Sequence, residues 1–385
     1  MTKPADDLFP GHDGATLKPT KAGVHATGIL PAHAIKGLIR DQEIWGTKEI
    51  EVDQVQPASL DLRLGTVAYR LRASFLPGKK SSVMEKVEAF AYHKIDLSEG
   101  AVLETGCVYL VPLMEALALS ERTSAAANPK SSTGRLDVFT RLITDNGAEF
   151  DQVEAGYKGH LYLEISPRTF SILVRAGSRL SQIRFRRGQP THTDTELRHL
   201  HDQVRLVDDQ ADIDGGLALT VDLKGEGATG LVGYRGKRHA GLIDVDRRDG
   251  YAIKDFWEPI YANEAGTMVL DPNEFYILAS REAVHVPATH AAEMVPYNPL
   301  VGEFRVHYAG FFDPGFGAEA AGGKGSRGVL EVRSHDVPFI LEHGQTIGRL
   351  LYERLTDVPT ELYGQRIGSS YQRQGLKLSK HFKTS

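Results

Sequence analysis

Leu161-Tyr162-Leu163-Glu164-Ile165 and Val329-Leu330-Glu331-Val332 are the stretches whose reading decides the fold. Each sets one carboxylate among apolar, mostly β-favouring residues, the pattern of a short strand with a covered face. The two glutamates are 167 residues apart, and so are Tyr109 and Tyr276, and Gly177 and Gly344. Ile183-Arg184-Phe185 and Leu350-Leu351-Tyr352 keep the same spacing. A constant offset over several segments marks a duplicated unit. Around the first glutamate, Cys107 to Val111, Phe170 to Val174 and Ser181 to Phe185 read as further short strands punctuated by Gly and Pro. The pattern predicts a mainly β chain: two tandem β domains, each a barrel or jelly roll, with a few short helices.

Working outward, residues 1–27 lack periodicity and read as a flexible arm. The first β domain is expected over 28–190, a linker over 191–216, the second β domain over 217–358 and a C-terminal closing segment over 359–385. Pro31 to Arg40 has helical apolar spacing, and Thr193 to Arg205 reads as a polar helix.

Composition narrows the function classes. A formal net charge of −5 argues against a duplex nucleic-acid surface, which needs a basic face. The single cysteine, Cys107, excludes an intrachain disulfide. The N-terminus has no apolar leader core, and the longest apolar run, Cys107 to Leu119, is broken by Pro112 and Glu115. A cytoplasmic protein without membrane attachment is expected. None of the 15 histidines is followed two residues later by Glu, and no Cys-x-x-Cys pair exists, so the zinc nucleobase-deaminase signature is absent. Gly322-Gly323-Lys324-Gly325-Ser326 fails the phosphate-loop pattern and reads as a flexible insertion.

The halves differ where chemistry would sit. Lys130-Ser131-Ser132-Thr133-Gly134-Arg135 gathers three hydroxyls and two cations, donors suited to a polyphosphate. Its second-half counterpart, Tyr297 to Gly302, has lost the hydroxyl cluster and the arginine. Conversely, the turn Asp313-Pro314-Gly315-Phe316-Gly317 has no like segment in the first half. Complementary losses of this kind predict a site shared between halves. Glu164 and Glu331 each either face solvent from a half-buried strand or sit desolvated in a pocket, with a raised pKa suited to moving protons.

These residues carry a resemblance. Gln56-Pro57-Ala58-Ser59-Leu60-Asp61-Leu62-Arg63-Leu64-Gly65 resembles the opening motif of the dCTP deaminases, in the dUTPase-like superfamily. Ser131 to Leu136 resembles that family's phosphate motif, with Lys130 where the family has Arg. Asp313 to Gly317 followed by Val329-Leu330-Glu331 resembles its nucleoside hairpin and catalytic glutamate. Tyr363, Tyr371 and Gln374 resemble its closing segment, with Ser370 where a Lys is usual. The double length resembles a long tandem form.

The resemblance implies a distorted dUTPase-like β-barrel or jelly roll and conversion of dCTP to dUTP and ammonia without zinc. It implies Glu331 as general base, with Glu164 the weaker candidate. Lys130, Ser131, Ser132 and Arg135 would hold the triphosphate, which carries Mg²⁺. Ala309, Asp313, Val329, Leu330, Tyr363, Tyr371 and Gln374 would complete the substrate site. A homo-oligomer with dTTP as inhibitor is implied as well. The alternatives are a dUTP diphosphatase, a bifunctional dCTP-to-dUMP enzyme, or a non-catalytic nucleotide-binding regulator.

Overall fold

The computed structural model describes residues 27–225, 229–296, 304–307, 310–318, 325–334, 336–360, 362–364 and 375–383, with backbone alone at 296 and 304–307. Among these residues the chain is mainly β, with 25 strands and five short α-helices, the longest being Asp194–Gln203. That helix starts where Thr193 and Glu196 form a reciprocal capping box, satisfying its first free N–H groups. It sinks Leu197 into the second core, so the stretch expected as a linker is packed there. Helix Ala32–Arg40 begins directly after Pro31 and buries Ile35 and Leu38.

The duplication is visible in strand order. One sheet runs Val67–Leu71, Val108–Ala118, Lys158–Pro167, Val138–Thr144. Its counterpart runs Leu231–Gly236, Phe275–Val284, Ser326–Ser334, Phe304–His307. Glu164 therefore stands between Leu110 and Arg141, and Glu331 between Ile277 and His307.

The expectation of two closed barrels or jelly rolls is corrected. Pairing among the described residues gives six separate sheets of five, six, three, four, five and two strands, each an open path. Closure needs the two end strands of a sheet to pair. Here the ends are blunted against that. Strand Ala91–Asp96 is mostly exposed on both faces, strands Gln152–Val153 and Phe311–Phe312 are two residues long, and Pro259 removes a donor from strand Trp257–Tyr261.

The first core takes side chains from both halves. Strand Ile172–Val174 of the first half pairs parallel with Ile243–Asp244 of the second. Phe170 packs edge-on against Trp257 and Phe256 at 5.3 and 5.7 Å, and Phe382 closes on the same two rings at 5.8 and 5.5 Å. The C-terminal segment thus returns to pack between the halves, and this packing fixes the walls of the cavity described next.

Candidate active site

A cavity of about 760 Å³ opens between the halves, within the size range of small-molecule sites. Lys130, Ser131, Ser132 and Arg135 line it from the first half, and Asp313, Val329, Glu331 and Tyr363 from the second. The phosphate-type loop follows strand Ser124–Pro129 and closes as one helical turn, Ser131–Gly134, with the Thr133 and Gly134 N–H groups donating to Lys130 O. That turn buries Ser132, Thr133 and Arg135 and leaves the loop little freedom. Lys130 Nζ is tied to Asp61 Oδ2, an ion pair reaching back into the opening motif.

Glu331 comes from the middle of strand Ser326–Ser334. Strand alternation turns Val329 and Glu331 to the cavity and sends the Leu330 side chain into the second core, not the expected substrate face. Arg135 Nε lies 3.9 Å from Glu331 Oε1 across the boundary between halves. Glu331 is only 4% exposed. Burial pushes its carboxyl up to about 8; Arg135 pulls it down and Asp137 pushes it further up. Asp137 is itself buried and receives hydrogen bonds from Thr169 Oγ1, at 2.5 Å, and from Arg333 Nη2, two residues along the strand from Glu331.

The Asp313 turn is set by its glycines. Gly317 has φ +67°, and a Cβ there would stand 2.0 Å from Val284 O, so only Gly fits. Phe316 packs on Phe312 at 4.9 Å and on Tyr363 at 5.8 Å, which carries Tyr363 to the cavity rim. Ala309, Tyr371 and Gln374 lie outside the described residues.

Residues 26–189 match the family model for the N-terminal domain of 2′-deoxycytidine 5′-triphosphate deaminase, and residues 193–382 match that for its C-terminal domain. The crystal structure of 2′-deoxycytidine 5′-triphosphate deaminase from Agrobacterium tumefaciens is 61% identical, with a TM-score of 0.83, covering 86% of this chain and 100% of that one. The chain belongs to the dCTP deaminase family. More distant dCTP deaminase relatives match shorter stretches. The "dCTP deaminase, dUMP-forming" of Beutenbergia cavernae is 31% identical over 132 residues, 34% of this chain and 65% of that protein. Its namesake from Nanoarchaeum equitans is 28% identical over 184 residues, 43% of this chain and 87% of that protein.

Within this member of the dCTP deaminase family the two glutamates part ways. Glu164 is not among the cavity-lining residues. Its Oε1 accepts from Arg141 Nε at 3.0 Å and Nη2 at 2.5 Å, and the Arg141 guanidinium stacks 3.6 Å from the Phe150 ring centroid. A carboxylate held by a charge-assisted fork and sealed from the cavity has no route to a substrate proton. Glu164→Gln is therefore expected to leave kcat for dCTP within about twofold of wild type, any loss falling on stability; steady-state ammonia release checks it.

Sequence reading missed several residues of this dCTP deaminase-family cavity. Asp61 and Arg179 line it, and Arg179 is braced by Glu51 at 2.6 Å and Asp53 at 2.9 Å. Lys380 lines it from the C-terminal segment, where burial pulls its ammonium down to about 8, with Lys130 and Arg248 adding to the shift. Residues 375–383 strap the phosphate-type loop: Arg135 Nη1 donates to Lys377 O at 2.9 Å and Ser379 Oγ to Ser132 O at 2.8 Å. The mixture of Gly, Ser and cations in the closing segment was the available signal, but it named no partner. Among the described residues no cluster of three or more His, Cys, Asp or Glu could hold a metal ion, and no helix is long and apolar enough to cross a membrane.

Proposed function

We propose that the chain hydrolyses dCTP to dUTP and ammonia, with Glu331 as the general base. The observation that carries the chemistry is the pairing, within one cavity, of a buried Glu331 with Arg135 at 3.9 Å. One half of the chain supplies polyphosphate donors and the other a carboxyl poised near neutrality. Glu331 takes a proton from water as the water oxygen bonds to C4 of cytosine. Glu331 delivers that proton to N3, which keeps it in the uracil product. The second water proton, on the new C4 hydroxyl, is then carried by Glu331 to the exocyclic amine, the C4–N4 bond breaks, and ammonia leaves with a carbonyl at C4. Water is activated by the carboxylate alone in this scheme.

Ser131, Ser132, Arg135 and Lys130 hold the triphosphate. Mg²⁺ arrives with the triphosphate and neutralises part of its charge. Asp61 lines the same cavity, but its carboxylate is tied to Lys130 with Arg179 4.0 Å away, so the triphosphate rather than the chain would hold the ion. Asp313 and Tyr363 face the nucleoside. The same cavity would admit dTTP, which has no C4 amine, as a competitor.

The test is purified protein with dCTP and Mg²⁺, following ammonia and pyrophosphate together. Ammonia with equimolar dUTP is expected. Pyrophosphate alongside ammonia would instead place the chain with its relatives named as dUMP-forming. Tight dCTP binding with neither product would make it a regulator.

A further inference from the structure

Arg184 belongs to the first half, yet nearly everything its guanidinium touches belongs to the second. It sits in strand Ser181–Arg187 and is 2% exposed. Nη1 donates to Ala292 O at 3.1 Å and Glu353 Oε2 at 3.2 Å. Nη2 donates to Phe312 O at 3.3 Å and Asp313 Oδ1 at 3.4 Å. The guanidinium carbon lies 4.0 Å from the centroid of the Phe311 ring. The fork therefore grips three consecutive residues, Phe311, Phe312 and Asp313, at the point where the chain enters the cavity turn. The duplication sharpens this: the residue 167 positions later, Leu351, is apolar. The arginine stands only in the copy that faces the Asp313 turn.

From this geometry we infer that Arg184 is a positioning residue for nucleoside recognition, reaching from the first half to fix the Asp313 turn of the second. The inference rests on the proposed dCTP deamination. Asp313 is buried in the cavity wall, and burial pushes its carboxyl up while Arg184 pulls it down. Asp61 and Lys130 face it from the first half and act in opposite senses, raising and lowering it respectively. Glu353 and Glu293 are the other carboxyls near the guanidinium. One Asp313 oxygen is engaged by Arg184, so the guanidinium sets which oxygen the turn offers to the cavity. Lysine keeps the charge but cannot hold Phe312 O, Asp313 and Glu353 together, because it lacks the planar fork.

The test compares wild type, Arg184→Lys and Arg184→Met in dCTP turnover, and measures affinity for dCTP and for inorganic tripolyphosphate by calorimetry. Arg184→Met strands two buried carboxyls and is the variant at risk of misfolding; Arg184→Lys keeps the charge and carries the result. Arg184→Lys is expected to raise KM for dCTP at least tenfold, with tripolyphosphate affinity within twofold of wild type. Its acid limb in kcat/KM should move to higher pH as Asp313 loses its hydrogen bond from the guanidinium. Equal weakening of dCTP and tripolyphosphate, or an unchanged KM in folded Arg184→Lys, overturns the inference. Inactive wild type would instead count against the deaminase reading, while a selective loss of dCTP affinity in Arg184→Lys would still support the positioning role.

Discussion

Glu331→Gln is expected to lower kcat for dCTP by about 10³-fold while leaving dCTP affinity near wild type. The amide keeps the size and much of the polarity of the side chain but cannot take a proton from water. The cavity donors that hold the triphosphate come from the other half and stay in place, so binding and chemistry separate. Glu331 also predicts a pH signature. Its carboxyl titrates at about 8, and a base works only when deprotonated, so wild-type kcat should climb with pH and level off above that value. The stability consequence has the opposite sign. A carboxyl lifted from 4.5 to about 8 on folding contributes stability that is complete below pH 4.5 and is lost as pH rises through 8. Glutamine carries no charge at any pH. Glu331→Gln should therefore melt above wild type at pH 9, with the two curves converging toward pH 4.5, a cost in fold stability borne for catalysis. A full-speed Glu331→Gln enzyme would remove Glu331 from the mechanism.

Arg135→Ala is expected to lower kcat/KM for dCTP by about 10²–10³-fold, the range for removing a preorganised donor beside reacting charge. Arg135 is placed to act in two ways: it lies in the triphosphate cavity and stands 3.9 Å from Glu331. Burial already favours the protonated carboxyl, so the fold can absorb the loss of the cation by leaving Glu331 neutral. The acid limb of the pH profile should then shift above 8, because the cation that pulls Glu331 down is gone. Arg135→Lys keeps the charge and should recover part of the activity. Calorimetry with dCTP checks the binding arm, and unchanged affinity in Arg135→Ala would count against a phosphate role.

The parts of this molecule that are local in sequence could be read from it. Strand Lys158–Pro167 and helix Ala32–Arg40 follow from a run of apolar, β-favouring residues and from helical spacing, and the matched strand orders of the halves follow from a constant offset. Sheet closure could not be read, because it depends on which distant edges find each other. The two glutamates illustrate the same limit in the site. Leu-Glu-Ile and Leu-Glu-Val are nearly the same tripeptide, and what separates them is the neighbour across the strand: Arg141 seals Glu164, while Glu331 opens to a cavity and meets Arg135 from the other half. The grip of Arg184 on Asp313 spans 129 residues, and no pattern within either half announces it. In the triplet Val329-Leu330-Glu331 only the odd members reach the cavity, as strand alternation requires.

Both cavity walls, and the C-terminal strap across the phosphate-type loop, are supplied by a single polypeptide. Carrying loop and carboxylate on one thread makes their meeting an intramolecular event, with an effective concentration set by the fold rather than by the amount of protein in solution. Dilution should therefore not dismantle this cavity: specific activity measured from micromolar down to nanomolar enzyme should stay level.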